Sequence, residues 1–577
     1  MKELKLGLSR ILKLVLVIEI IVLLGNTAAI SRDYQDSWIL EGLEIPFAVF
    51  VVTYIAYFMV EKQFEWLIMF ALIAHITFLL IPNLKYVWFQ GVAIDQHLKY
   101  RLALSTYDEG YVPPGTNYSE TPMLPLSFVV YSVMTGLPMA QIMKYFPLML
   151  WFTYPIWVYI IVKKISANSS ILKYTLLASS IPVAPEISYL VVGTLFGAFF
   201  VFLILIQCVK IAENGNRRNW IVAVIFAMVL VAGHSFSSML LPVALLVATC
   251  LSSLSHRMLK LGLSKVRSHL TSTMAIFMIS LAWLSLVAQR IFASAVNFFA
   301  SYFGISSTGK LPELLTIRPR FFEIDFISQI RALVVFNGGD LLFMLFTIIG
   351  VLLIIRKISL RKKSGLTFLS NYAVALMFIL LFGLVLNLGF DWGDRILRYV
   401  STIAPIFSGV FLYHIESKLR NRIIPLLLVG LLVVLAVVQL YQCQLLIPAA
   451  SSLGNELPND EPLVYVNSVN TVYQRSMITY AEGYLANGTR IATDEVTGNQ
   501  LFGLASWSFS ENHKISYPLK TKRLAPHDYF LLHLPGISGK LYEKAEMRTR
   551  NVILSVIYNS SYNIVYSNGE SYILHKW

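Results

Sequence analysis

Charge is scarce in this chain. Only 14% of its 577 residues are Asp, Glu, Lys or Arg, against 56% hydrophobic. So few charges cannot cover the surface of a soluble protein of this size, which excludes an aqueous globular enzyme and points to a polytopic membrane protein. Cysteine is scarcer still. Cys208, Cys250 and Cys443 lie far apart, each in an apolar run, which excludes a zinc cluster or a disulfide framework. Motifs of soluble chemistry are missing as well: there is no Walker loop, GxSxG, HExxH or CxxC. Neither a solenoid period nor an inverted repeat of the transporter kind is visible. Any chemistry must come from acids and bases set at a membrane face.

What the sequence has in abundance is apolar runs. Residues 11–30 follow Lys2, Lys5, Arg10 and Lys13. They read as an uncleaved first span, with a signal peptide as the alternative. Glu19 lies inside it, and an intramembrane carboxylate is a functional candidate by default. Further runs fall at 45–60, 66–82, 139–162, 171–186, 188–209, 219–234, 237–254, 271–290, 340–356, 367–388, 397–414 and 423–444. Each approaches the length that crosses a bilayer, which gives about 13 spans. Residues 124–137 are shorter and end at Gly136 and Pro138, so they read as a helix lying at the interface.

The net charge is +14, but its distribution argues against nucleic acid as a partner. With 124–137 lying flat, the segments on one side hold 23 Lys and Arg against five acids, and the rest hold 23 against 27. This is the positive-inside pattern of a multi-pass cell-membrane protein with a cytoplasmic N-terminus. It places residues 83–138, 291–339 and everything past 445 outside. Hydropathy falls after about residue 450, where LVYVNSV (463–469), TRIATDE (489–495), DYFLLHL (528–534), NVILSVIY (551–558) and NIVYSNGESYIL (563–574) alternate like strands. The expected architecture is a transmembrane α-helical domain over 1–444 and an extracytoplasmic α/β or mainly β domain over 445–577. Sequons at Asn117, Asn487 and Asn559 fall outside; that at Asn168 falls inside.

The longest early polar interruption is NLKYVWFQGVAIDQHLKYRLALSTYDEGYVPPGTNYSETPMLP, from Asn83 to Pro125. It sets Asp95 beside His97, Lys99 and Arg101. Glu120, Glu186, His234, Arg395 and Arg398 fall on the same side of the membrane by the topology above. Several have a plain structural reading. Asp95 suits the N-cap of a helix over 95–106. Glu186 suits a cap, and His234 a helix end. Arg395 and Arg398 suit interfacial snorkelling.

The order of these features resembles the GT-C superfamily of polytopic glycosyltransferases, which includes oligosaccharyltransferases, protein O-mannosyltransferases and aminoarabinose transferases. It is most similar to archaeal GT-C-like membrane proteins of unassigned function. The resemblance is carried by the acid in GVAIDQHLKYR, by TPMLPLSFVVYSVMTGLPMAQIMKYFPLML, and by PVAPEISYLVVGTLFGAFF, GHSFSS and GDRILRYVSTIAPI. It implies transfer of a sugar from a polyprenyl-phosphate (dolichol-type) donor to a glycan, lipid or protein acceptor. Asp95 would be the catalytic base. His97, Lys99, Glu120, Glu186, His234, Arg395 and Arg398 would bind substrate, the cations meeting the leaving phosphate. The family's paired acids are reduced here to Asp95-Gln96-His97, which leaves a divalent metal, Mg or Mn, open. Two other classes stay in view: a flippase for a polyprenyl-linked glycan, and a non-catalytic scaffold carrying an extracellular binding domain.

Overall fold

Long apolar runs without proline can close their backbone hydrogen bonds within one helix, and the described apolar runs of this chain are helical. The computed structural model describes residues 2–30, 49–58, 64–84, 94–113, 119–166, 168–180, 193–214, 216–258, 264–293, 296, 326–356, 364–385, 396, 398–420, 423–445, 480–481, 484–485, 490–493, 514–516, 529–533, 562–567 and 571–576. The helices are α1 (Lys2–Ile30), α2 (Val49–Phe58), α3 (Phe64–Leu84), α4 (Ile94–Glu109), α5 (Met123–Thr135), α6 (Met139–Trp151), α7 (Tyr154–Ile165) and α8 (Ser169–Ser179). They continue with α9 (Gly193–Asn214), α10 (Arg217–Gly233), α11 (Ser235–Met258), α12 (Ser264–Leu286), α13 (Phe326–Arg356), α14 (Ser364–Val385), α15 (Ala404–Leu419) and α16 (Ile423–Leu445). Among the described residues, three stretches are long and apolar enough to cross a membrane: Met139–Ile165, Gly193–Asn214 and Ser235–Leu254. Eight shorter apolar helices accompany them.

Two compact units divide the chain. One takes Met1–Ile81, Pro114–Leu124 and Pro147–Gln439; the other takes Pro82–Pro113, Pro125–Phe146 and Leu440–Trp577. In the first, α9 packs on α10, α11 on both α12 and α14, and α15 on both α8 and α13. The α8–α15 crossing is close because position 409 is glycine. A Cβ there would lie 2.9 Å from the Thr175 Cα. Polar side chains join buried helices at a few points. Asn371 Nδ2 donates to Ser252 Oγ at 2.9 Å, and Thr53 Oγ1 donates to the buried Glu19 at 2.9 Å. Asn168, in the expected inner sequon, caps α8 by accepting from the backbone of Ser170 and Ile171.

Proline divides two of these runs. The stretch read as a single span over 139–162 breaks at residues 152–153, between α6 and α7, just before Pro155. A second break at 402–403 precedes Pro405 in the run read over 397–414. Proline has no N–H, so the carbonyl four residues earlier loses its helical partner. For Pro155 that carbonyl is Trp151 O, and His75 Nε2 contacts it at 3.1 Å as its hydrogen-bond partner. Past the second break, the Ile406 N–H turns back to Ile403 O, which frees Thr402 O. The Tyr154 hydroxyl donates to it at 2.8 Å. The rings of His75, Trp151, Tyr154 and Phe202 pack around the first break in tilted and edge-on contacts.

Helix α13 starts at Phe326, well before the expected span start at residue 340, so part of the stretch read as an outer loop over 291–339 is helical. The segment FISQIRALVVF supports this, because its apolar residues continue the helix without a proline.

In the second unit, α5 has 13 residues, which at about 1.5 Å per residue is near 20 Å and too short for a bilayer core. It stops at Gly136, whose φ of +69° is the left-handed conformation favoured at a helix C-terminus. Phe128 is buried against Phe146, while Val130, Val133 and Met134 are exposed on the other side. The unit also holds a five-stranded sheet in the order β2-β1-β3-β5-β4. Its strands are β1 (Arg490–Thr493), β2 (Lys514–Ser516), β3 (Tyr529–His533), β4 (Tyr562–Ser567) and β5 (Ser571–Lys576). β1 pairs in parallel with β2 and β3, whereas β3–β5 and β4–β5 are antiparallel. The run expected as one strand over 563–574 is a hairpin, β4 and β5, with Asn568-Gly569 between its strands. The runs at 463–469 and 551–558 lie outside the described residues.

Candidate active site

Helix α4 carries the first group of site residues. It spans Ile94–Glu109, so Asp95 is its second residue and not the N-cap expected from the sequence. A carboxylate in the first turn of a helix is favoured by the helix dipole, whatever else it does. Of Asp95 and His97 the backbone alone is described; their side chains lie outside the described set. One turn after Asp95 comes Lys99, which is 2% exposed, and Arg101 is 7% exposed. Leu102, Ala103 and Thr106 continue the buried side. Burying an ammonium and a guanidinium two residues apart is expensive without compensating partners. Both residues make interactions within the structure. The helix therefore places an acid position one turn before a buried cation.

Glu120 sits elsewhere, in the short segment that leads into α5, and its carboxylate is engaged. Its Oε1 accepts from the Arg290 backbone N–H at 3.4 Å and its Oε2 from that of Ile291 at 3.2 Å. The Arg290 side chain approaches at 3.8 Å, and Trp283 Nε1 donates to the Glu120 carbonyl at 3.3 Å. Glu120 thereby clasps the corner that follows α12.

His234 links α10 to α11. Its backbone is extended, with φ −155° and ψ 109°. Its Nδ1 accepts from the Ser237 backbone N–H at 3.3 Å and meets the Ser237 hydroxyl, which in turn meets the Tyr399 hydroxyl. Ser237 and Tyr399 are fully buried, and His234 is half-buried. The ring lies against α9, where a Cβ at Gly193 would fall 2.6 Å from its Cδ2 and one at Gly197 2.6 Å from its Nδ1. This end of α9, α10 and α11 is the one away from Lys210, Arg217, Arg218 and Arg257. Arg398 is half-buried and directly precedes Tyr399.

Glu186 and Arg395 lie outside the described residues. Sequence reasoning missed Ser237 and Tyr399. The signal for Ser237 was local, a serine three residues past a helix-end histidine. That for Tyr399 was not, because 162 residues separate it from Ser237. Among the described residues no group of three or more His, Cys, Asp or Glu is placed to hold a metal ion.

No protein-family model matches the chain, and no curated protein sequence matches it. Among solved structures, ArnT from Cupriavidus metallidurans bound to undecaprenyl phosphate overlays on it with a TM-score of 0.46 and 10% sequence identity, covering 88% of this chain and 97% of that one. At that TM-score the likeness bears no weight on fold or function.

Proposed function

We propose that the chain is a GT-C-type membrane glycosyltransferase that moves a sugar from a polyprenyl-phosphate carrier to an acceptor outside the membrane. The supporting observation is the make-up of α4: a carboxylate position in the first turn, followed one turn later by the buried Lys99 and then by Arg101. Glycosyl transfer from a lipid phosphate needs those two functions. A carboxylate takes the proton of the attacking acceptor hydroxyl, or orients it. A cation held in a low-dielectric setting stabilises the negative charge that grows on the departing phosphate. Asp95 is assigned the first role and Lys99 the second, with His97 as a neighbouring substrate ligand.

In the same reading the chain has about 13 spans, a cytoplasmic N-terminus and an extracytoplasmic C-terminal domain. The exposed apolar side of α5, with Val130, Val133 and Met134, suits a helix resting among the headgroups.

One observation favours a second reading, a flippase for the carrier lipid. Broken helices mark substrate paths in transporters, and this chain has breaks before Pro155 and Pro405. Two carbonyls freed at these breaks are already bonded by His75 and Tyr154, which makes them poor ligands for cargo. Proteoliposomes loaded with radiolabelled undecaprenyl-phosphate sugar separate the two readings. Transfer predicts release of free undecaprenyl phosphate, together with label on an added acceptor. Movement of intact glycolipid between leaflets without that release would sink the transferase reading.

A further inference from the structure

We propose that the ends of α1, α3 and α7, where Arg10, Lys13, Lys163 and Lys164 gather, form a docking surface for the phosphate headgroup of an anionic phospholipid. This surface is independent of the glycosyltransferase reading.

Ring contacts bring these helix ends together. Lys13 on α1 holds its Nζ 4.1 Å from the centre of the Trp66 ring, in the first turn of α3. Phe64, which opens α3, lies 6.1 Å from Tyr159 on α7, and Lys163 Nζ stands 5.5 Å from that same Tyr159 ring. Lys173 on α8 sits 5.9 Å from the Phe64 ring and 6.0 Å from that of Phe58, at the end of α2. The basic part of α1, the start of α3 and the end of α7 therefore share one end of their helices. Each ring draws a cation to its face. An ammonium has three N–H donors, so one that rests on a ring still has donors for a phosphate oxygen.

Arg10, Lys163 and Lys164 are exposed, and Lys13 is half-buried. Among the described side chains of α1, α2, α3, α7 and α8, these four and Lys173 are accompanied at this end by one acid, Glu65. Cations gathered so repel one another, and an anion among them relieves that repulsion. Exposed apolar side chains identify the anion as a lipid. On α7, Ile160 is exposed one turn before Lys163 and Lys164. On α1, the exposed Arg10 is followed by Leu14, Ile18 and Ile21, which are exposed along the same side. An acyl chain can lie along such a stripe while the cation at its end reaches the headgroup. A soluble anion has nothing to place there. A choline headgroup carries its own cation beside the phosphate, which opposes the lysines, so the fitting lipid is one with net negative charge.

The test uses the full chain in phosphatidylcholine nanodiscs, with phosphatidylglycerol as the added probe. Phosphatidylglycerol should raise the melting midpoint of the wild type, because a ligand of the folded state stabilises it, and high salt should shrink the rise. Lys163→Gln combined with Lys164→Gln should bind phosphatidylglycerol about tenfold more weakly while keeping the wild-type midpoint in phosphatidylcholine alone. Lys163→Arg combined with Lys164→Arg should bind as the wild type does. A matched control removes two exposed cations elsewhere, Arg218→Gln on α10 and Arg356→Gln on α13, and should leave binding close to wild type. Wild-type binding in the Lys163→Gln, Lys164→Gln variant would overturn the proposal. So would an equal loss in the control, which would mean a diffuse field in place of a site. Equal stabilisation by glycerol 3-phosphate at the same concentration would assign the surface to a free anion and overturn the lipid assignment.

Discussion

The hydroxyl of Tyr154 donates to the backbone carbonyl of Thr402 at 2.8 Å, across 248 residues of chain. Tyr154 opens the helix that follows one proline break, and Thr402 lies in the other break. The bond therefore joins two interruptions that proline created separately. Tyr154→Phe leaves the ring packed against Phe202 and orphans a buried carbonyl, which costs about 1–3 kcal/mol. Thermal unfolding of the purified protein in detergent should show a lowered midpoint. An unchanged midpoint would mean that Thr402 O finds another partner.

His75 does the same for Trp151 O. His75→Leu preserves bulk and removes the hydrogen-bonding nitrogen, so a loss of similar size is expected. Combining it with Tyr154→Phe should give less than the sum of the two effects. The rings touch, with centroids 5.5 Å apart, and contacting residues are not energetically independent. A double-mutant cycle on thermal stability checks this, and strict additivity would count against one shared cluster.

Glu120 separates a structural role from a chemical one. Both its carboxylate oxygens accept backbone N–H groups of Arg290 and Ile291. Glu120→Ala should therefore lower stability by about 1 kcal/mol, as loss of a cap does, while turnover at low temperature stays near wild type. Abolished turnover at an unchanged melting midpoint would instead put this carboxylate in contact with substrate.

The outward side of α5 is tested by its surroundings. A cysteine placed at Met134 and labelled with an environment-sensitive dye should emit as though in a headgroup region, and lipid-borne quenchers at shallow depth should reach it. Emission matching that of a dye in water, untouched by those quenchers, would remove α5 from the interface.

Much of this arrangement was legible in the sequence wherever the signal was local. Helix α4 was expected over 95–106 and covers 94–109; the short helix expected over 124–137 is α5, Met123–Thr135, which stops two residues earlier at Gly136. The proline breaks were only half legible. Pro155 and Pro405 are visible in the sequence, but a long apolar run reads as one span when hydropathy is averaged across the break. The partners that mend the breaks could not be read at all, because His75 lies 76 residues from Trp151 and Tyr154 lies 248 from Thr402. His234 shows the same limit. As a lone histidine at a helix end it reads as structural. Its relay to Tyr399 exists only once α11 and the segment before α15 are folded side by side.

Asp95 carries the assigned base role, so the most direct measurement is turnover of undecaprenyl-phosphate sugar by Asp95→Asn in reconstituted vesicles, set against wild type and against binding of the same lipid. The substitution keeps the shape and removes the basic oxygen. Loss of a general base predicts a fall in turnover of about 10²- to 10⁴-fold, with lipid binding retained. Turnover equal to wild type would take Asp95 out of the mechanism and contradict the account at its centre.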